Sequence, residues 1–165
     1  MEPVDALLTR RTVRKYAKTP IPQEKIDRIL EAGRQSPSAV NRQPWHFILV
    51  TDQKTKDRLG NGVFNRHIRS SAFTIVGAYT TDDRVSKRWG LVDTTIALQD
   101  MVVAAHLQGV ASCWIGDYNE DRLRETLNIP PNASIAALVA FGEPVDTPGP
   151  RKKKPLNQIL HTNTW

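Results

Sequence analysis

Residues 36–50 read SPSAVNRQPWHFILV and join the end of a helix to a buried strand. The helix pattern occupies residues 22–35 and stops at the Pro-containing triplet SPS. One helical face of that stretch carries its apolar and small residues, Ile26, Ile29, Leu30 and Gly33. The run WHFILVT that follows is short and apolar throughout, which is typical of a strand buried on both faces.

Further along the chain, short apolar runs alternate with helical patterns, so the sequence predicts an α/β arrangement without internal repeats. Strands are predicted at residues 73–79, 111–115 and 134–142, and helices at residues 94–109 and 119–129. Asn119 is the predicted N-cap of the last helix. With 165 residues and 39% apolar composition, the chain has the size of one domain, residues 1–165.

The helix predicted at residues 94–109 is the most hydrophobic segment of the chain. Apolar side chains surround most of it: Ile96, Leu98, Met101, Val102, Val103, Ala105 and Leu107. Such a helix has to be buried nearly all round, which in a domain of this size favours a partner subunit. The tail is also apolar, at Leu156, Ile159, Leu160 and Trp165, so we expect it to pack, either on this chain or on a second protomer.

Positive charge is concentrated in two runs, RRTVRK at residues 10–15 and RKKK at residues 151–154. The chain has 23 basic and 17 acidic residues, and without these eight only 15 basic residues remain. A protein that binds duplex nucleic acid spreads Lys and Arg along a face many phosphates long. Two compact clusters instead suit one small polyanion if the fold brings them together, whereas RKKK alone also fits a solvated charged run.

The sequence does not indicate a glycine-rich phosphate loop, a metal site or a thiol nucleophile. Neither of the common glycine-rich phosphate loops occurs, and the four histidines lack the spacing of metal ligands, so no metal site is predicted. Cys113, the single cysteine, is expected to be a small buried hydrophobe and not a thiol nucleophile. The start MEPVDALL lacks the order of a signal peptide, and no apolar run is long enough to cross a bilayer, so we expect a cytoplasmic protein.

Four motifs, taken in order, resemble the nitroreductase family of oxidoreductases that depend on flavin mononucleotide (FMN). They are RRTVRKY, SPSAVNRQPWHFILV, WIGDY at residues 114–118, and RKKKPL at residues 151–156. The second is the most specific, because ten residues of defined order lead directly into a buried strand. Typical members also carry an inserted helical segment before the central helix, where this chain has only residues 80–93, TTDDRVSKRWGLVD.

The resemblance implies an α+β fold with a mostly antiparallel sheet flanked by helices, and a homodimer with FMN sites at the subunit interface. It assigns the FMN phosphate and ribityl chain to Arg10, Arg11, Thr12 and Arg14, with Arg151 and Lys153 closing the site. It assigns Pro37, Ser38, Ala39 and Asn41 to the flavin of the second subunit. It places Ile115, Gly116 and Asp117 beside the reactive ring and Asn65 at the pyrimidine edge, where the family's usual lysine is Ile68 here.

The activity implied is ping-pong hydride transfer from NAD(P)H through FMN to an acceptor such as a nitroaromatic or a quinone. Because the cofactor carries this chemistry, no protein group is assigned as catalytic. In typical members the inserted segment helps to cover the active site. The shorter segment here is expected to leave the flavin more open, which favours broad acceptance of substrates. The alternatives are a specialised flavin reductase acting on a halogenated aromatic or an enone, and a flavin-binding or sensing module without nicotinamide turnover. The third alternative is a basic nucleic-acid-binding domain, which would lack a bound chromophore.

Overall fold

Four antiparallel strands form the centre of the protein, whose computed structural model describes residues 3–165. The strands are β1 (Trp45–Val50), β2 (Phe73–Thr80), β3 (Ala111–Ile115) and β4 (Ala133–Gly142), in the order β1-β2-β4-β3. The register places Leu49 opposite Ile75, and Val139 between Ile75 and Trp114. Helices flank this sheet, so the predicted α+β fold with a mostly antiparallel sheet is confirmed.

The helices within residues 3–165 are α1 (Pro3–Thr9), α2 (Gln23–Arg34), α3 (Gln53–Leu59), α4 (Arg84–Leu107) and α5 (Glu120–Leu127). Helix α2 begins after Pro22, and α5 begins after Asn119, whose side-chain oxygen accepts the backbone N–H of Arg122. This cap satisfies one of the N–H groups that the first turn of a helix leaves without an internal partner. Both helix starts therefore agree with the sequence.

Helix α4 is longer than the sequence predicts. The apolar pattern indicates residues 94–109, whereas the helix begins at Arg84, directly after its N-cap Asp83. The Asp83 carboxylate accepts the backbone N–H groups of Val85 and Ser86. The predicted start is late because the first turns are polar and contain Gly90, which disfavours a helix. Gly90 is needed here because a Cβ at this position would collide with the ring of Tyr79.

Two hydrophobic cores lie on opposite faces of the sheet, because successive side chains of a strand alternate between faces. One core lies between one sheet face and helices α2 and α4. The sheet contributes Phe73, Ile75, Val139 and Phe141, and α4 contributes Leu98 and Met101. Val76, Leu138 and Leu123 belong to the other core, which packs against α3 and α5. Helices α2 and α4 approach closely at Gly33, where a Cβ would collide with the side chain of Met101.

Some apolar side chains stay exposed in the single chain. On α4, Ile96 is 37% exposed and Leu107 is 44% exposed. This chain alone therefore does not provide the burial on all sides that the sequence predicted for this helix. The tail after β4 contains one short 3-10 turn, Leu156–Gln158, and Trp165 at its end is fully exposed. Within residues 3–165, no helix has both the length and the apolar character required to cross a bilayer.

Candidate functional site

The two basic clusters of the sequence line one cavity of about 420 Å³, which is called the basic cavity below. Its lining comprises Leu7, Leu8, Arg10, Arg11, Thr12, Arg14, Pro148, Gly149, Pro150, Arg151 and Lys153. Five of these side chains are cationic, and no Asp or Glu occurs among these residues of the lining. Cations held close together without a counter-ion repel one another, so the cavity favours an anion. The convergence that the sequence left open is present in the fold.

A short bridge to β3 fixes the first half of the basic cavity. Thr12 pairs in parallel with Ser112, and the Val13 N–H donates to the Ser112 carbonyl at 3.0 Å. Val13 is buried in the core, while Thr12 and Arg14 on either side of it are exposed. This is the alternation of an extended chain, and it directs Thr12 and Arg14 away from the core.

Arg11 has a structural contact in addition to its place in the cavity. Its Nη1 donates to the carbonyl oxygens of Thr9 at 2.7 Å, Arg10 at 3.0 Å and Leu8 at 3.2 Å. These are carbonyls at the end of α1, where a helix leaves its acceptors without internal partners. Arg11 therefore stabilises the turn that carries Arg10 as well as contributing charge.

The cations of the cavity also affect neighbouring titratable groups. Burial lowers the pKa of His106, and the positive charges of Arg10 and Arg11 lower it further. Burial raises the pKa of the Cys113 thiol, while Arg14 acts in the opposite direction. Cys113 is 1% exposed and belongs to β3, so the prediction of a small buried hydrophobe is confirmed.

Asn65 and Asp117 meet at a second cavity of about 320 Å³, which is called the Asn65 corner below. The Asn65 Oδ1 accepts the Gly62 N–H at 2.7 Å, and its Nδ2 donates to the Asp117 carbonyl at 3.2 Å. The side chain of Ile115 is buried in the core, so only its backbone can face a ligand. Apart from Gly116 and its two chain neighbours, no atom of residues 3–165 lies within 4 Å of the point where a Cβ on Gly116 would stand, so a ligand can approach this backbone closely.

Residues 36–43 form an irregular segment with unusual backbone angles. Val40, Asn41 and Gln43 have φ values of 52°, 55° and 52°. These values lie in the left-handed region, which residues other than glycine rarely adopt. The Ser38 Oγ accepts the Gln43 N–H at 2.9 Å, and the Ser38 carbonyl accepts the Asn41 N–H at 3.0 Å. These bonds close a tight turn at the centre of the motif that carries the family resemblance.

The predicted residues of this segment do not join the basic cavity of the same chain. Pro37, Ser38, Ala39 and Asn41 are absent from the described lining of both cavities. Their expected contribution to a second subunit's site stays a prediction. Helix α4 holds the segment through Asp93, whose two carboxylate oxygens accept the Ala39 N–H at 3.2 Å, and through Asp100, which accepts the Ser36 hydroxyl at 2.5 Å.

Sequence reasoning missed several residues of the site. The 148–150 segment, Pro-Gly-Pro, completes the basic cavity, and Gly62, Tyr118, Asn119 and Arg122 complete the Asn65 corner. Asp93 and Asp100 were also missed, although the sequence contains a signal for them. Asp100 lies within the apolar stretch at residues 94–109, and Asp93 directly precedes that stretch. A carboxylate beside so many apolar side chains requires a polar partner.

Comparisons with known proteins agree with this fold and these motifs. The family model described as "Nitroreductase family" matches residues 7–71 and 61–143. A protein of Methanothermobacter thermautotrophicus, named provisionally as an NADH dehydrogenase/NAD(P)H nitroreductase, is 30% identical over 171 residues, covering 100% of this chain and 88% of that protein. The FMN reductase [NAD(P)H] of Bacillus subtilis is 26% identical over 185 residues, covering 99% of this chain and 74% of that protein.

A crystal structure from Parabacteroides distasonis, solved under the same provisional name as the Methanothermobacter protein, superposes with a TM-score of 0.90 and 31% identity. The match covers 99% of this chain and 98% of that one. These relatives' names agree with the predicted enzyme class, with FMN and with NAD(P)H. The match of the family model over most of the chain, together with this fold, shows that the chain belongs to the nitroreductase family.

Proposed function

We propose that the protein is an FMN-dependent oxidoreductase that transfers a hydride from NAD(P)H through FMN to nitroaromatics, quinones or similar acceptors. The observation that carries this proposal is the basic cavity, in which Arg10, Arg14 and Arg151 meet from the two ends of the sequence. A cavity with five cations and no carboxylate among the lining residues fits a phosphate-bearing cofactor.

The phosphate of FMN would bind to Arg10, Arg11, Arg14, Arg151 and Lys153, with the Thr12 hydroxyl as a further donor. A guanidinium suits this role because its planar fork donates two hydrogen bonds to phosphate oxygens and stays charged at any working pH. Arg11 has already committed its Nη1 to the end of α1, so Arg10 and Arg14 have the larger part of the binding.

The flavin ring would lie towards the Asn65 corner, where Gly116 and Asp117 present open backbone. FMN, when bound, supplies the chemistry by accepting a hydride from NAD(P)H and passing two electrons to the acceptor in a second, ping-pong step. The chain's own contribution is a set of fixed backbone N–H dipoles, which stabilise an electron-rich ring without having to reorganise. Asn65 fixes the position of this loop through its bond to the Asp117 carbonyl.

A homodimer with shared sites is part of the proposal. Ile96 and Leu107 on α4, Leu7 and Leu8 on α1, and the tail residue Trp165 expose apolar surface in the single chain. Burying such surface is the usual driving force for an obligate dimer. A second protomer would also bring residues 37–41 to the flavin, which accounts for their absence from the cavities of their own chain.

Absorption spectroscopy of the purified protein tests the cofactor. We expect the spectrum of a bound oxidised flavin, released as FMN on denaturation, and its bleaching when NADPH or NADH is added without oxygen. A protein that binds FMN and is not bleached by either nicotinamide would be a flavin-binding module and would contradict the proposed activity.

Two further measurements test the acceptor and the assembly. Because a hydride carries two electrons, we expect a nitroaromatic to be reduced equally well in air and under nitrogen, and strong inhibition by oxygen would contradict two-electron transfer. Sedimentation at micromolar concentration is expected to show a dimer. A folded, FMN-loaded monomer would contradict sites shared between subunits.

A further inference from the structure

Two acids of α4 and its N-cap, Asp83, contact the irregular segment in reverse order along the chain. Asp100 accepts the Ser36 hydroxyl at 2.5 Å, and Asp93 accepts the Ala39 N–H with both oxygens at 3.2 Å. At the N-terminus of α4, Asp83 lies 3.9 Å from the Nε of Arg42. The segment therefore runs antiparallel to α4. Hydrogen bonds hold it at Ser36 and Ala39, and the ion pair of Arg42 is long and exposed.

The distance between Asp93 and Asp100 along α4 matches the distance between their partners, Ala39 and Ser36, along the segment. Asp93 and Asp100 are seven residues apart, which is about two helical turns and roughly 10 Å along the axis. Ser36 and Ala39 are three residues apart, and an extended chain covers about 10 Å over that distance. Ser38 has the extended angles φ −139° and ψ 157° that this match requires.

Asp93 has no evident reason to be buried except this contact. The residue is 4% exposed, and within residues 3–165 the recorded hydrogen-bond donor to its carboxylate is the Ala39 N–H, with no ion pair. A buried carboxylate with so few partners is costly to fold, and an apolar residue would fit such a helix better. The turn it holds is also costly, because Val40 is β-branched and has a φ of 52°.

We propose that Asp93 and Asp100 are positioning residues that hold residues 36–43 in the shape required to contact the flavin. The Ala39 N–H is directed at Asp93, so it is not available to a ligand. The Ser38 hydroxyl accepts from Gln43 and keeps its own proton to donate. This inference rests on the proposed function, in which this segment of one protomer contacts the FMN of its partner.

Variants at the two contacts test the proposal, with the dissociation constant of FMN measured by flavin fluorescence on the full-length protein. Asp93→Ala and Ser36→Ala are each expected to weaken FMN binding about tenfold, which is about 1.4 kcal/mol. Asp93→Asn and Ser36→Thr keep an acceptor or a hydroxyl at the same place and are expected to stay within about threefold of the wild type. Asp27→Ala, at an exposed acid of α2, is the matched control.

Hydrogen exchange supplies a readout that a general loss of stability would not reproduce. In Asp93→Ala the Ala39 amide is expected to lose protection, while the Gly62 amide, held by Asn65, keeps it. Equal FMN affinity in Asp93→Ala, Ser36→Ala and the wild type would overturn the proposal, as would failure of Asp93→Asn and Ser36→Thr to restore binding. Wild-type protein that binds no FMN would instead overturn the proposed function, so the two failures are distinguishable.

Discussion

The basic cavity and the Asn65 corner are held together in opposite ways. In the corner, Asn65 satisfies Gly62 and Asp117 by hydrogen bonds within the chain, so its geometry exists before any ligand binds. In the basic cavity, five cations meet with no carboxylate among the lining residues. Of these five, Arg11 is the one whose side chain donates to carbonyl oxygens within residues 3–165. The corner therefore supplies shape, whereas the cavity supplies attraction for an anion and is less stable without one.

The largest effect is expected from removing charge from the basic cavity. The double variant Arg10→Ala/Arg14→Ala should lose on the order of 3 kcal/mol or more of FMN affinity, because each charged hydrogen bond contributes roughly 1.5–3 kcal/mol. Arg28→Ala, which removes an exposed arginine paired with Glu24 on α2, is the control. Titration of flavin fluorescence measures both. Unchanged affinity in the double variant would show that the cavity does not bind the phosphate.

Ligand binding should stabilise the protein through this same cavity. At an FMN concentration one hundred times the dissociation constant, the free energy of unfolding should rise by about 2.7 kcal/mol. Riboflavin has no phosphate and should stabilise much less at equal concentration. Urea denaturation with each ligand measures the difference, and equal stabilisation by the two flavins would contradict a role for the cations.

Asn65→Ala should lower the stability of the fold and leave the charge of the basic cavity unchanged. It removes the acceptor of the Gly62 N–H and the donor to the Asp117 carbonyl from a side chain that is 5% exposed. The expected loss of stability is roughly 2 kcal/mol, because two partly buried hydrogen bonds are lost and each contributes about 0.5–1.5 kcal/mol. Asn61→Ala, at an exposed asparagine that accepts from Arg69, is the control. If both variants unfold at the wild-type urea concentration, the corner is not preorganised by Asn65.

The smallest effect concerns His67, which follows Asn65 by two residues and is close enough to Arg14 for that charge to affect its pKa. Burial lowers its pKa and the charge of Arg14 lowers it further, so the unfolded chain binds its proton at a higher pH than the folded chain does. Stability should therefore fall as the pH drops below about 6.5, the ordinary pKa of histidine, until the folded pKa is passed. His67→Leu should make the melting temperature less dependent on pH in this window, and an unchanged slope would contradict this assignment.

The sequence predicted the strands and most helices because their signals are local. Short apolar runs predicted β1, β2, β3 and β4, and the N-cap Asn119 predicted the start of α5. The start of α4 was missed because Gly90 lowers helix propensity, and only the Tyr79 ring of the folded chain explains that glycine.

For the site, the resemblance selected residues that the fold brings together, at Arg10 with Arg151 and at Asn65 with Asp117. It did not reveal that the Ile115 side chain belongs to the core. Nor did it reveal Asp93 and Asp100, since their partners Ala39 and Ser36 are more than fifty residues away in sequence. Contacts of that separation follow from tertiary packing, and no local pattern encodes them.

The construction of the basic cavity from both ends of the chain has a consequence for biosynthesis. Arg151, which lines the same cavity as Arg14, is synthesised 137 residues after it. At a synthesis rate of about 5–20 residues per second, roughly seven to twenty-seven seconds separate the two halves. All four strands precede Arg151 in the sequence, so we expect the sheet to form without the second basic cluster. A chain that stops shortly before Arg151 is therefore expected to fold and to bind FMN more weakly than the longer chain does.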